Sequence, residues 1–413
     1  MAALLAILLF PLPGLASDAP ARQPACQGHG CHAQPVSAQR WAVRLVGTWS
    51  AGTGPQSTGD GGTVPADGQA YAAVGGGTAV LGTGLSVTGY GLSTGKELWQ
   101  TTLSAPVGTV IMSVRAWPGV VTVGLLTPDG GSRTEVVIDA TTGAEMRRYP
   151  AAVFGGAVAA SKAATVIVGP ASVTSYNNAT GRVRWQHKTG AGQSWQTDGQ
   201  ALYLAQSPGG YLGSTPVTAL QVIALSTGAQ RTLNSPLGSS FSGTLAIAAD
   251  GALLFASPSG VTAYSGSTGG ALWTKHGAVP EGADPAAGLV DLATPGGALV
   301  GVDPLTGAVR AAVPAAVTAG AASLYVVRGG VALGLNSGAN GTAWGYNMAR
   351  GMVSWTSPAL PWPHFFSDLS GLGGSAPISG GPGSGDTVVV TACPHLAGSS
   401  GLCADPELIA LAL

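Results

Sequence analysis

The chain has 413 residues, a formal net charge of -1, 45% hydrophobic and only 8% charged residues, with 66 glycines and 28 prolines. Its length admits two or three domains, and its near-neutral charge excludes long-range attraction to nucleic acid or an anionic membrane. Low charge with frequent turn residues fits many short, half-buried strands.

Residues 1–21 read as a signal peptide or the remnant of a membrane anchor. Ala2 to Leu15 is apolar apart from Pro and Gly, and small residues follow at Ala16, Ser17, Ala19 and Ala21. That is the order of an apolar stretch before a cleavage site. It is short for a membrane span, and the first basic residue is Arg22. Gln23-Pro24-Ala25 before Cys26 lacks the aliphatic residue of a lipoprotein signal. The mature protein is expected to be extracytoplasmic, secreted or anchored at the cell surface, with any membrane association confined to this segment. Residues 22–40 form a linker.

An exported chain with four cysteines implies disulfides, with three pairings open. Cys393 and Cys403 bracket one loop between two strand-like runs, where a bridge would contribute roughly 2–3 kcal/mol on the chain-entropy model. Cys26 and Cys31 then pair in the linker. The segment from Cys26 to His32 also resembles a zinc site or a stretched haem attachment site. Four ligands within so few residues strain a zinc tetrahedron, and a small disulfide loop is the plainer reading.

From Trp41 onward the pattern is strand, turn, strand. Runs such as Val120–Leu126 and Ala252–Ala256 have strand length. Asp67-Gly68, Asp129-Gly130, Asp198-Gly199 and Asp250-Gly251 are turn signals between such runs. No amphipathic helix is evident. One turn recurs, most clearly as Tyr90-Gly-Leu-Ser-Thr-Gly-Lys-Glu-Leu-Trp99, Tyr176-Asn-Asn-Ala-Thr-Gly-Arg-Val-Arg-Trp185 and Tyr264-Ser-Gly-Ser-Thr-Gly-Gly-Ala-Leu-Trp273. Tyr346 to Trp355 keeps the frame. The turn glycines are Gly95, Gly143, Gly181, Gly228, Gly269, Gly307 and Gly351, 38 to 48 residues apart. That period with strand-like flanks predicts blades of a β-propeller.

The repeats alternate. Five residues before the glycine stand Tyr90, Ile138, Tyr176, Ile223, Tyr264, Val302 and Tyr346, and four residues after it Trp99, Arg147, Trp185, Thr232, Trp273, Ala311 and Trp355. Odd blades carry Tyr and Trp, and even blades an aliphatic residue without Trp. This is a two-blade unit in which large faces meet small ones. Glu407 to Leu411 matches Gln221 to Leu225 and extends the count to an eighth blade, whose outer strand is missing. Arg40 to Leu45 resembles Leu98 to Leu103 and is expected to supply it. The predicted fold is therefore all-β, an eight-bladed propeller closed by N- and C-terminal strands in one blade, over residues 41–413. Seven blades with an appended hairpin is the runner-up.

The Thr-Gly pair followed by Trp resembles the tryptophan-docking repeat of quinoprotein-type (PQQ-like) propellers. The resemblance implies that each Gly makes a tight turn between outer strands. It also implies that Trp99, Trp185, Trp273 and Trp355 dock on the neighbouring blade. The family holds pyrroloquinoline quinone-dependent dehydrogenases with calcium, the propeller lipoprotein of outer-membrane assembly, and sensor domains. The adjacent cysteines of the large alcohol-oxidising members are missing here, and acidic residues number 18. Asp139 and Asp303 fall at equivalent blade positions, which favours a structural role.

Other candidates are weaker. Trp362, His364, Phe365 and Phe366 form an aromatic cluster best read as packing. Asn178-Ala-Thr180 and Asn340-Gly-Thr342 match the glycosylation pattern, the first within a repeat turn. Long loops at Thr127–Thr134, Gln206–Thr218 and Cys393–Pro406 precede the turn strands of blades two, four and eight, which places them on one propeller face. A recognition surface and neutral drift in loop length explain them equally. The expectation is a non-catalytic scaffold without cofactor that binds a protein or cell-envelope ligand. A quinone-dependent dehydrogenase and a ligand-sensing domain are the alternatives.

Overall fold

In the computed structural model the described residues run from 70 to 357 with short gaps. Strands at 39–44, 49–50, 364–365, 387–392, 396–397, 402–403 and 407–412 complete them. The chain divides into two compact units, Met1–Ala33 and Gln34–Leu413. The first, with the leader and Cys26 and Cys31, lies outside the described residues.

Among the described residues the strands form eight four-stranded antiparallel sheets and one three-stranded sheet. Seven of the four-stranded sheets are simple meanders in chain order, at 70–102, 110–151, 156–188, 194–234, 244–276, 279–313 and 323–356. The first strands of neighbouring sheets lie side by side: Ala70–Gly75 beside Val110–Trp117, Ser194–Thr197 beside Thr244–Ala249, and Val279–Asp284 beside Ser323–Arg328. The fourth strand of each meander pairs only with its own third strand and forms the outer edge.

The eighth sheet draws on both ends of the chain. Its order is Gln39–Arg44, Glu407–Ala412, Thr387–Ala392, His364–Phe365. Gln39 pairs with Leu411 and Arg44 with Glu407, so the N-terminal strand occupies the fourth position. The loop between Cys393 and Pro406 is not wholly irregular. Leu396–Ala397 and Leu402–Cys403 pair with each other, and Trp49–Ser50 adds to the second of them. Two-residue strands carry no readable alternation, which is why this small sheet has no signature in the sequence.

The core consists of apolar layers between consecutive sheets. Val80, Ile111, Val123 and Ile138 fill the first layer, and Val166, Trp195, Leu204 and Ile223 fill the third. Phe241 and Phe255 stack at 4.8 Å between the fourth and fifth sheets, with Tyr264 edge-on to both. Both faces of a sheet are therefore covered. Hence Val120–Leu126 is buried along its whole length and reads as an apolar run instead of an alternation. The aliphatic residues of the even sheets, Ile138, Ile223 and Val302, are fully buried. Each contributes about 1.5–3 kcal/mol by leaving water. The single helix among the described residues is the four-residue Ala315–Thr318.

Candidate functional site

The repeated turn has one geometry in all seven copies. The turn glycines have φ between 66 and 76°, the left-handed region that side chains other than Gly enter at a cost. Each glycine N–H donates to the carbonyl four residues earlier. Examples are Gly95 to Gly91 at 2.7 Å, Gly181 to Asn177 at 2.7 Å and Gly351 to Asn347 at 2.9 Å. In five of the seven copies the residue that accepts, Asp139, Asn177, Ser265, Asp303 or Asn347, also caps the turn through its side chain. Asp139 Oδ1 accepts from the N–H groups of Thr141 and Thr142 at 2.8 and 3.0 Å, and Asp303 Oδ1 from Leu305 and Thr306 at 3.1 and 2.9 Å. The threonine before the glycine accepts in turn, as when Thr142 Oγ1 receives the Ala144 N–H at 3.3 Å. The Thr-Gly pair is thus explained by two separate bonds within one turn.

The carboxylates titrate accordingly. Burial pushes Asp139 upward, but the Lys162 ammonium and the Thr141 and Thr142 N–H groups outweigh it, so its pKa is lowered. Hydrogen bonds from Thr306 hold Asp303 below the ordinary carboxylate range, with help from Arg310.

Each odd-sheet tryptophan faces a small residue across its hairpin, and Trp99, Trp185 and Trp273 have a second one, a glycine, on the next sheet. Its cross-strand partner is Gly89 for Trp99, Ser175 for Trp185, Ala263 for Trp273 and Gly345 for Trp355. A bulge skips the residue just before each Trp and turns the indole toward the next sheet. There Trp99 lies on Gly143, Trp185 on Gly228 and Trp273 on Gly307. A Cβ added at these glycines would fall 2.7, 2.5 and 2.7 Å from the ring. Trp99 Nε1 donates to the Ala140 carbonyl at 2.8 Å and Trp273 Nε1 to Pro304 at 2.9 Å. Trp355 is buried over Gly345.

The second and fourth sheets reach the next sheet with arginine instead. The Arg147 guanidinium donates to the Ala179 carbonyl, and Arg231 donates to Gly266 and to Ser267, the latter at 3.3 Å. The frame that aligns Trp residues puts Thr232 in this place and misses Arg231, one position earlier. The fourth sheet has no register shift at its outer hairpin, and that one-residue difference is invisible in the sequence.

The charged groups inside are neutralised locally. Between the second and third sheets, Arg133 Nη2 contacts Glu135 Oε1 at 2.6 Å and Ser113 Oγ at 2.7 Å. Gly124 and Gly156 give this pair its room, since a Cβ at either would fall within 2.5 Å of its side-chain atoms. Arg115 donates to the Ala157 carbonyl and stands 5.8 Å from the Trp195 ring. In the fourth sheet Asp198 accepts the Tyr203 hydroxyl at 2.9 Å, and burial, then Asp198, pushes that phenol upward.

Among the described residues no three His, Cys, Asp or Glu side chains converge to hold a metal ion. Calcium requires several oxygen ligands around one point. Asp139, Asp198 and Asp303 are engaged in turns and Glu135 in an ion pair, so these residues do not fit a calcium–quinone group. Asn178 is buried and bonded to Tyr149, Thr165 and the Ser161 carbonyl, which removes it as a surface glycosylation site. Cys393, Trp362, Phe366, Asn340 and most of the three long loops lie outside the described residues, as do the side chains of Cys403, His364 and Phe365. No helix among the described residues is long and apolar enough to cross a membrane.

Residues 132–328 match the family model described as outer membrane protein assembly factor BamB. No curated protein matches the chain. A computationally designed protein, Ika8, superposes with a TM-score of 0.51 at 14% identity, covering 84% of this chain and 97% of its own. BamB from Moraxella catarrhalis gives 0.41 at 17% identity, with 78% and 99% covered. Quinohemoprotein alcohol dehydrogenase from Comamonas testosteroni gives 0.46 at 14%, with 91% and 76% covered. The family match over residues 132–328 and a turn of constant geometry from Gly95 to Gly351 lead to one conclusion: the chain folds as a β-propeller whose repeats resemble those of the PQQ-like family.

Proposed function

We propose that the protein is a non-catalytic, extracytoplasmic propeller scaffold that binds a protein partner of the cell envelope and carries no quinone. The observation behind this reading is that Asp139, Asp303, Arg147, Arg231 and Glu135 are committed to the fold. Aspartates cap turns, arginines hold neighbouring turns, and the buried carboxylate at Glu135 is paired. A dehydrogenase needs a free carboxylate base beside a bound cation, and none of these residues supports that role. The family description of an outer membrane assembly factor favours a protein partner outside the cytoplasm, as does the apolar leader at 2–15. The same reading takes the eight sheets as eight blades in a closed ring, supported by the seating of Gln39–Arg44 on Glu407–Ala412.

The test is a titration of the purified chain with pyrroloquinoline quinone and calcium, together with fractionation of native cells. An unchanged melting temperature and recovery outside the cytoplasm are the expected results. Saturable binding with a raised melting temperature would replace the scaffold by the dehydrogenase.

A further inference from the structure

The net charge of -1 conceals a separation of charge. Cations gather on the outer strands and the turns that lead into them. Lys96, Arg147, Arg148, Arg182, Arg184 and Lys188 occupy the first three sheets, and Arg231, Lys275 and Arg310 continue through the next three. The carboxylates in the same places are Glu97, Glu145 and Asp303. Glu145 is already paired with Arg148 at 2.7 Å, and Arg310 with Asp303 at 3.2 Å.

The third sheet stands out. Its outer strand Val183–Lys188 and the turn before it carry Arg182, Arg184 and Lys188, all exposed. Among the described residues none of the three is paired with a carboxylate, and Arg184 reaches only the Ser226 carbonyl, at 3.5 Å. The neighbouring edges differ. Glu145–Ala151 contains Pro150, which cannot donate to an added strand. Glu97–Thr102 opens on a carboxylate, and Met352–Thr356 carries no charge. Edge protection alone would call for some such device on every edge. Here two cations on a strand without Pro are joined by a third in the turn before it, while the Met352–Thr356 edge has only Arg350, in its turn.

An open edge offers unpaired N–H and C=O groups to an incoming strand. Three like charges repel a second copy of the same edge and attract a strand with carboxylates opposite them. We infer that Val183–Lys188 is a docking edge for an acidic, extended segment of a protein partner. The segment pairs with the backbone beyond the bulge at Arg184 and sets its carboxylates against Arg182, Arg184 and Lys188. The inference rests on the binding-scaffold reading and names the chemistry of its partner.

The probe is a short synthetic peptide alternating glutamate and valine, mixed with the full chain at low salt. Controls are its lysine-for-glutamate counterpart and a backbone N-methylated copy. Fluorescence anisotropy reads affinity, and hydrogen exchange reads protection of the amides at 185–188. The acidic peptide is expected to bind and to slow exchange there. The double variant R184E/K188E should weaken it about tenfold, and R310E, on another sheet, should leave it unchanged. Equal binding of the lysine peptide or of the methylated copy overturns the inference, and so does binding without amide protection. If R184E/K188E still captures the native partner, the edge assignment falls while the scaffold reading stands. The quinone titration is blind to this edge and tests the scaffold reading separately.

Discussion

Replacing Gly143 by alanine isolates the contribution of one tryptophan seat. Gly143 has φ 72°, and leaving glycine there costs about 1–2 kcal/mol in backbone strain. The new Cβ would stand 2.7 Å from Trp99 Cδ2. That contact must be relieved by moving an indole that is only 7% exposed and bonded to Ala140. Such overpacking adds about 1–3 kcal/mol, for a total of about 2–5 kcal/mol. Gly199 is the control, with φ 84° and nothing within 4 Å of its added Cβ. There only the backbone cost of about 1–2 kcal/mol applies. Urea unfolding followed by circular dichroism and by fluorescence gives both values. In a Trp99→Ala background, already weakened by about 3–5 kcal/mol, Gly143→Ala should fall back to the Gly199 cost. A coupling of about 1–3 kcal/mol is therefore expected. A coupling near zero would refute the claim that the glycine is there to seat the indole.

Three further outcomes follow from the same geometry. Glu135→Ala leaves the buried Arg133 without its counter-charge and should cost about 3–5 kcal/mol in urea unfolding. The paired change R133M/E135L should recover most of that loss. Asp139 and Asp303 have folded pKa values below the ordinary carboxylate value. Their contribution is thus full above an unfolded pKa of about 3.9 and is lost as pH falls toward the folded values. The melting temperature should drop between pH 5 and 3, and D139N/D303N should flatten that drop. Deleting residues 1–44 removes the fourth strand of the eighth sheet and bares Glu407–Ala412. A lower melting temperature and self-association in light scattering are expected, and an unchanged monomer would argue against closure through this strand.

The repeat was legible because glycine at positive φ has few substitutes, so the turn recurs in sequence as it does in space. Tyr and Trp were legible for the same reason, being large and fixed in frame. The seats were not. Gly89, Ser175, Ala263 and Gly345 share only small size, and they become a set once the bulged register pairs each with its Trp. Arg231 escaped because alignment by Trp assumes a bulge that the fourth sheet lacks. Arg133 and Glu135 stand two residues apart on one strand. Their burial depends on glycines in two other strands. The charged outer edge was hidden by a net charge that averages over the whole chain.

The pairing of Gln39–Arg44 with Glu407–Ala412 also orders events in time. Gln39–Arg44 is synthesised long before Glu407–Ala412 and waits for it before these hydrogen bonds can form. The entropic cost of closing so long a loop grows only with the logarithm of its length, so the finished joint is affordable. Folding pays in speed, because contacts so distant in sequence form late. Until Glu407–Ala412 has been made, Gln39–Arg44 is an unmatched edge, open to any holdase that binds extended chain.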